Sequence, residues 1–154
     1  MQGSEQRWKL GLSWCLRLTL AGIFFYAGWV KVLDPALFAI KIRNYDLLSD
    51  PWVAMVAVSL PWMEIICAIC LVTRRLESGA ITWIIGMLVV FLFGLISAMA
   101  RGLNIDCGCF SEAVDRGSLA IIVATDVVLL VIAVRLLLQN NRMASHKLRL
   151  TDTP

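Results

Sequence analysis

The sequence predicts an all-α integral membrane protein: a four-helix bundle with a short interfacial helix in its first outward loop. Three observations lead there. Of 154 residues, 60% are hydrophobic and 16% charged, against about 45–50% and about 25% in average soluble domains. Mean hydropathy is +0.81, and so small a chain has no core large enough to hide that much apolar surface from water. The apolar residues gather in four runs, 10–33, 52–73, 80–100 and 119–138. Each is near the ~20 residues that a helix needs to cross about 30 Å of hydrocarbon. In lipid the backbone must satisfy its own hydrogen bonds, so the runs are read as helices. This excludes a soluble globular domain, a disordered tail and a nucleic-acid binder. A net charge of +3 is too weak for a polyanion partner, and the basic residues form no recognition stripe.

The first span is too long for a cleavable signal, contains Arg17, and is followed by no small-residue cleavage site; it is expected to stay in the mature chain. The first loop lies between Asp34-Pro35 and Asp50-Pro51, and Phe38, Ile42 and Tyr45 recur in it at helical spacing. That pattern predicts a short helix on the outer face, with an ordered loop as the alternative. In the second span Pro61 removes a backbone donor three residues before Glu64, which predicts a kink. The third span carries no charge, and the fourth holds Asp126 and Arg135. The chain is read as one transmembrane domain, 1–154, in which 139–154 form a polar, mobile cytoplasmic tail.

Basic residues set the expected orientation. Arg7, Lys9, Arg74, Arg75, Arg142, Lys147 and Arg149 fall on the side of the termini; Lys31, Lys41, Arg43, Arg101 and Arg116 fall on the other. The excess places both termini in the cytoplasm and the first and third loops outside.

The third loop contains Cys107-Gly108-Cys109. On the oxidising side of a membrane disulfides form and persist. Glycine lets the backbone fold tightly enough to bring the two sulfurs together, and a strained, exposed disulfide is of the labile or catalytic kind. The pair is a candidate redox centre; a structural clip and two idle thiols are the alternatives. Cys67 and Cys70 lie inside the second span, where cysteine behaves as a small hydrophobe. By helix rise, Cys67 lies about 22 Å below the outer end of that span. These two, and Cys15, are read as structural. Zinc is not expected, since His146 is the single histidine and structural sites want four Cys or His ligands.

Charges within the spans are costly and face the bundle interior. Helix rise puts Arg17 about 10 Å, Glu64 about 13 Å and Asp126 about 18 Å from the inner face. An Arg17–Glu64 pair is therefore expected, with Asp126 able to join. Arg17, Ala21, Phe24, Gly28 and Lys31 form one stripe of the first span, on which Ala21 and Gly28 let another helix approach. Arg17, Lys31, Glu64 and Asp126 are read either as a polar pocket (a quinone headgroup site, a proton path or a small-substrate site) or as ion pairs that fix helix register.

These residues resemble the DoxX-like membrane proteins, most closely the MauE (methylamine utilisation) branch, over roughly Arg17 to Asp126. Arg17 matches the arginine of the family's first span. The stretch from Ala27-Gly28 through Lys31 to Asp34-Pro35 is similar to the family's "AG…K…DP". Tyr45 falls in the outward segment that follows. Leu60-Pro61-Trp62-Met63-Glu64 is similar to "LPW.E", and Asp106-Cys107-Gly108-Cys109-Phe110 to "DCGCF". Where the family has glycine next, this chain has Ser111. The resemblance implies a bacterial inner-membrane protein that helps mature the disulfide-rich small subunit of methylamine dehydrogenase, beside a thioredoxin-like partner of the MauD kind. Wider relatives include the membrane subunit of a thiosulfate–quinone oxidoreductase.

The leading expectation is thiol–disulfide redox at the membrane. Cys107 and Cys109 exchange with a periplasmic thioredoxin-like domain or client, supported by Asp106, Gly108 and Phe110, and quinone is the candidate carrier near Arg17, Lys31 and Glu64. A non-enzymatic assembly factor with a structural Cys-Gly-Cys clip is the second reading. A soft-metal transporter is the third.

Overall fold

A computed structural model describes residues 2–101 and 116–151. Among them every regular element is helical: α1 (Gln2–Leu33), α2 (Pro35–Asn44), α3 (Asp50–Thr73), α4 (Glu77–Ala100) and α5 (Arg116–Thr151). Four segments are long and apolar enough to cross a membrane: Gly11–Leu33, Asp50–Thr73, Glu77–Ala100 and Ala120–Asn141. They coincide with the four apolar runs. Helix α1 begins well before the first run, and α5 continues to Thr151, through much of the segment read as a mobile tail.

The spans form a ring. Helix α1 packs along α3, and α4 along α5; α3–α4 and α1–α5 contacts close it. The core contains Leu20 and Leu71 with Ile81, Ile84, Ala133 and Leu136. Large apolar side chains such as Val58, Val90, Phe93 and Val131 face outward. So much exposed apolar surface suits a hydrocarbon surround rather than water.

The α3–α4 turn is short. Arg74 and Leu76 both take left-handed backbone conformations, with φ of 57° and 56°, and this folds α4 back antiparallel to α3. At the other end, the predicted short helix is present as α2. Asp34 Oδ1 accepts from the Leu37 amide at 2.9 Å and Pro35 occupies the first turn, so α2 starts where a side-chain cap and a fixed φ favour it. Phe38 is buried, and Ile42 and Tyr45 are half-buried. Helix α2 packs on α3 and on the end of α1.

The two ends of α1 and α3 are not level. Gly28 abuts the Pro61 carbonyl, Ile65 and Glu64. Gly28 is about 8 Å from the end of α1, whereas Pro61 is about 16 Å from the start of α3. Helix α1 therefore stops about 9 Å short, and α2 fills the step with Phe38. Helix α3 runs through Pro61 as one helix. This offset sets the height of every charge on α1.

Candidate functional site

The stripe of α1 predicted to face inward does so: Arg17, Ala21, Phe24, Gly28 and Lys31 are all buried. Lys31, only 4% exposed, is where the other elements converge. Its Nζ donates to Glu64 Oε1 of α3 at 2.5 Å. It also lies 5.3 Å from the ring centroid of Phe38 on α2 and 5.9 Å from that of Phe91 on α4. The negative ring faces attract the ammonium, and the carboxylate neutralises it. Gly28 makes this possible, since without a side chain it lets α1 approach α3 at the level of Glu64.

Lys31, Glu64 and Asp126 line one cavity of about 560 Å³ between the four spans. The rest of its wall is almost wholly apolar, with the aromatic rings of Phe24, Trp83 and Phe91 among the lining groups. Two oxygens on it, Glu64 Oε2 and Asp126 Oδ2, are buried and accept no hydrogen bond from the described residues. Trp83, Gly86 and Val90 of α4 and Ile121 and Thr125 of α5 also line it, and all five are exposed on the bundle surface. The cavity thus opens sideways, at a depth where the surface is hydrocarbon.

Arg17 is not part of this cavity. The expected Arg17–Glu64 pair is replaced by two pairs. Arg17 bonds Glu77 at the start of α4, and Lys31 bonds Glu64. Helix rise holds within each span, but counting Lys31 with the outward residues sets it too high. The α1–α3 offset lowers it to the height of Glu64, and Arg17 drops to the level of the α3–α4 turn. There Arg17 and Arg74 lie 5.6 and 5.5 Å from the Trp14 ring centroid, and Arg74 Nε is 3.7 Å from Glu77 Oε2. Sequence reading missed Glu77 because it stands at a helix start, outside the run read as a span. Its signal is an acid two residues after Arg74-Arg75 and in the first turn of a helix, where negative charge is favoured.

Asp106, Cys107, Gly108, Cys109 and Phe110 lie outside the described residues. Their flank is described: Arg101, at the end of α4, donates through Nη2 to the Tyr45 carbonyl at 2.5 Å and through Nε to the Ser97 carbonyl at 3.3 Å. The Arg101–Tyr45 bond ties the end of α4 to the end of α2. Cys15, Cys67 and Cys70 are free thiols, and Cys67 is packed in the core.

The fold and site define a four-span helical membrane protein with a buried lysine–glutamate pair beside a laterally open apolar cavity. The two stretches that carry the pair, Ala27–Pro35 and Leu60–Glu64, meet at Gly28. A family model described as "Methylamine utilisation protein MauE" matches residues 9–139, and the chain belongs to the MauE family. The methylamine utilization protein MauE of Paracoccus denitrificans is 32% identical over 121 residues, covering 78% of this chain and 65% of that protein. The protein of that name from Methylophilus methylotrophus is 38% identical over 93 residues, covering 60% and 49%. That of Paracoccus versutus is 32% identical over 123 residues, covering 79% and 66%. The chain spans half to two thirds of the length of these relatives. No solved structure matches it.

Proposed function

We propose that the chain is an inner-membrane thiol–disulfide exchange protein with both termini in the cytoplasm and the Cys107–Cys109 segment in the periplasm. The observation that carries this reading is the Cys-Gly-Cys sequence itself, within the stretch the family model matches and between two spans. Two cysteines this close in sequence can cycle between dithiol and disulfide. One thiolate attacks a partner's disulfide to form a mixed disulfide, and the second thiolate displaces it. The net reaction converts this dithiol to a disulfide and the partner's disulfide to a dithiol, or runs in reverse. The family name points to methylamine utilisation, so the proposed client is a disulfide-rich periplasmic subunit such as the methylamine dehydrogenase small subunit, reached through a MauD-like thioredoxin domain.

The test begins with a membrane-impermeant maleimide on intact cells. Labelling of Cys107 and Cys109 only after reduction is the expected result. Labelling that requires the cytoplasmic face to be opened would reverse the orientation. Single Cys107→Ser and Cys109→Ser variants should then differ, one of them accumulating a mixed disulfide with its partner. A double variant that matures the client at the normal rate would overturn the exchange mechanism and leave the assembly-factor reading.

A further inference from the structure

We infer that the cavity between the spans is a binding site for a lipophilic quinone, entered from the bilayer, with Lys31, Glu64 and Asp126 holding its head group. Four features of the cavity support this. First, its volume of about 560 Å³ lies in the range of small-molecule sites, about 300–1,000 Å³, so it is larger than a packing defect. Second, its exposed rim on α4 and α5 is apolar apart from Thr125, so the entrance suits a ligand already dissolved in hydrocarbon. Third, its polar groups lie deep. Asp126 is about 9 Å from the α2 end of its span, and Glu64 about 21 Å from the start of α3. A phospholipid keeps its head group at the interface, but a quinone ring resides in the hydrocarbon and can present its oxygens at that depth.

The fourth feature is the donor and acceptor set. Lys31 supplies N–H donors, which suit the carbonyls of a quinone. Glu64 Oε2 and Asp126 Oδ2 are buried acceptors with no partner among the described residues, which suit the hydroxyls of a quinol. A buried acceptor without a partner is destabilising, so a ligand hydroxyl on either oxygen offsets a cost the protein already bears. The rings of Phe24, Trp83 and Phe91 line the space around them, and a flat ring packs well against such walls. Arg17, bonded to Glu77 outside the cavity, takes no part.

The carrier role of this ligand rests on the thiol–disulfide reading; its binding does not. Oxidation of one Cys107–Cys109 dithiol to a disulfide releases two electrons and two protons. One quinone takes up both pairs and becomes the quinol, so the exchange balances.

Gly86 provides the test. It lines the cavity, and a Cβ added there meets nothing within 4 Å, so a large side chain can fill the entrance without a backbone clash. Gly22 also has open space around it and lies off the cavity, which makes it the control. The full chain in lipid nanodiscs would be labelled with a photoreactive azido-ubiquinone, with decylubiquinone as competitor, and the labelled peptides mapped. The expected result is saturable labelling of the 83–91 and 121–129 stretches, lost at least tenfold in Gly86→Phe and retained in Gly22→Phe. Asp126→Asn should weaken competition by the quinol form more than by the quinone form. Labelling spread over all lipid-facing helices and indifferent to Gly86→Phe would overturn the site. Labelling of these stretches that decylubiquinone does not displace would instead assign the cavity to an acyl chain and overturn the quinone. A Cys107→Ser/Cys109→Ser chain should label like the wild type, so failure of the thiol mechanism and failure of the quinone site are read separately.

Discussion

Replacing Gly28 by alanine tests the architecture most directly. The added Cβ would lie 2.8 Å from the Pro61 carbonyl oxygen, 2.9 Å from Ile65 Cγ1 and 3.1 Å from Glu64 Cβ. The Ile65 terminus can rotate away. The Pro61 carbonyl belongs to the backbone of a packed helix and cannot. Restoring an ordinary separation of about 3.5 Å requires α1 and α3 to part by about 0.7 Å, along a seam that also holds the Lys31–Glu64 bond. Overpacking of this kind costs about 1–3 kcal/mol, a shift of about 5- to 150-fold in the folding equilibrium. Equilibrium unfolding in mixed micelles by SDS titration, followed through tryptophan fluorescence, would measure it. Gly22→Ala is the companion, because its Cβ meets nothing within 4 Å. It should be neutral or stabilising by up to about 1 kcal/mol, as alanine replaces glycine in a helix. Equal midpoints for Gly28→Ala and the wild type, or parallel shifts in the two variants, would refute the close-approach argument.

Other expectations follow from the charges and thiols. Lys31→Met leaves Glu64 buried without its cation and should cost about 3–5 kcal/mol, most of it recovered in Lys31→Met/Glu64→Met; the same unfolding titration reads both, and a double variant no better than the single would show that the pair is not coupled. Arg17→Met, which leaves buried Glu77 only the more distant Arg74 at 3.7 Å, should be destabilising by less than Lys31→Met. Arg74→Ala, a half-exposed partner at 3.7 Å, should stay within about 1 kcal/mol. A Cys15→Ala/Cys67→Ala/Cys70→Ala chain should retain thiol exchange with a partner thioredoxin domain, scored by gel shift. Loss of exchange there would bring the intramembrane cysteines into the mechanism.

The bundle was legible because its signals are local. Four apolar runs of membrane length, a 3.6-residue stripe on α1 and an Asp-Pro start for α2 are each contained in a short stretch of chain. The pairing of charges was less so. Placing Arg17 opposite Glu64 assumed that α1 and α3 end at one level. Their true offset follows from a long-range contact, Gly28 on Pro61, and from α2 filling the step, and neither can be read from one span. The bracketing of Lys31 by Phe38 and Phe91 is hidden for the same reason: three elements supply it. The cavity was anticipated only through its charged residues. Its wall is built from apolar side chains that look like any others in a hydrophobic run, and it exists because these helices do not close completely around Lys31, Glu64 and Asp126.

The two ion pairs on α1 also bear on how the protein is made. Helix α1 is synthesised before α3 and α4 and has the lowest hydropathy of the four spans, 1.4 against 2.2 to 2.7 for the others. It enters the membrane with Arg17 and Lys31, and the carboxylates that neutralise them arrive later, Glu64 in α3 and Glu77 at the head of α4. Until then each cation must stay hydrated or held by the insertion machinery, because an unpaired charge in hydrocarbon is costly. Helix α1 can therefore settle only once α3 and the start of α4 are in place. The register of the finished bundle is fixed at two heights by residues that were never in the membrane alone together.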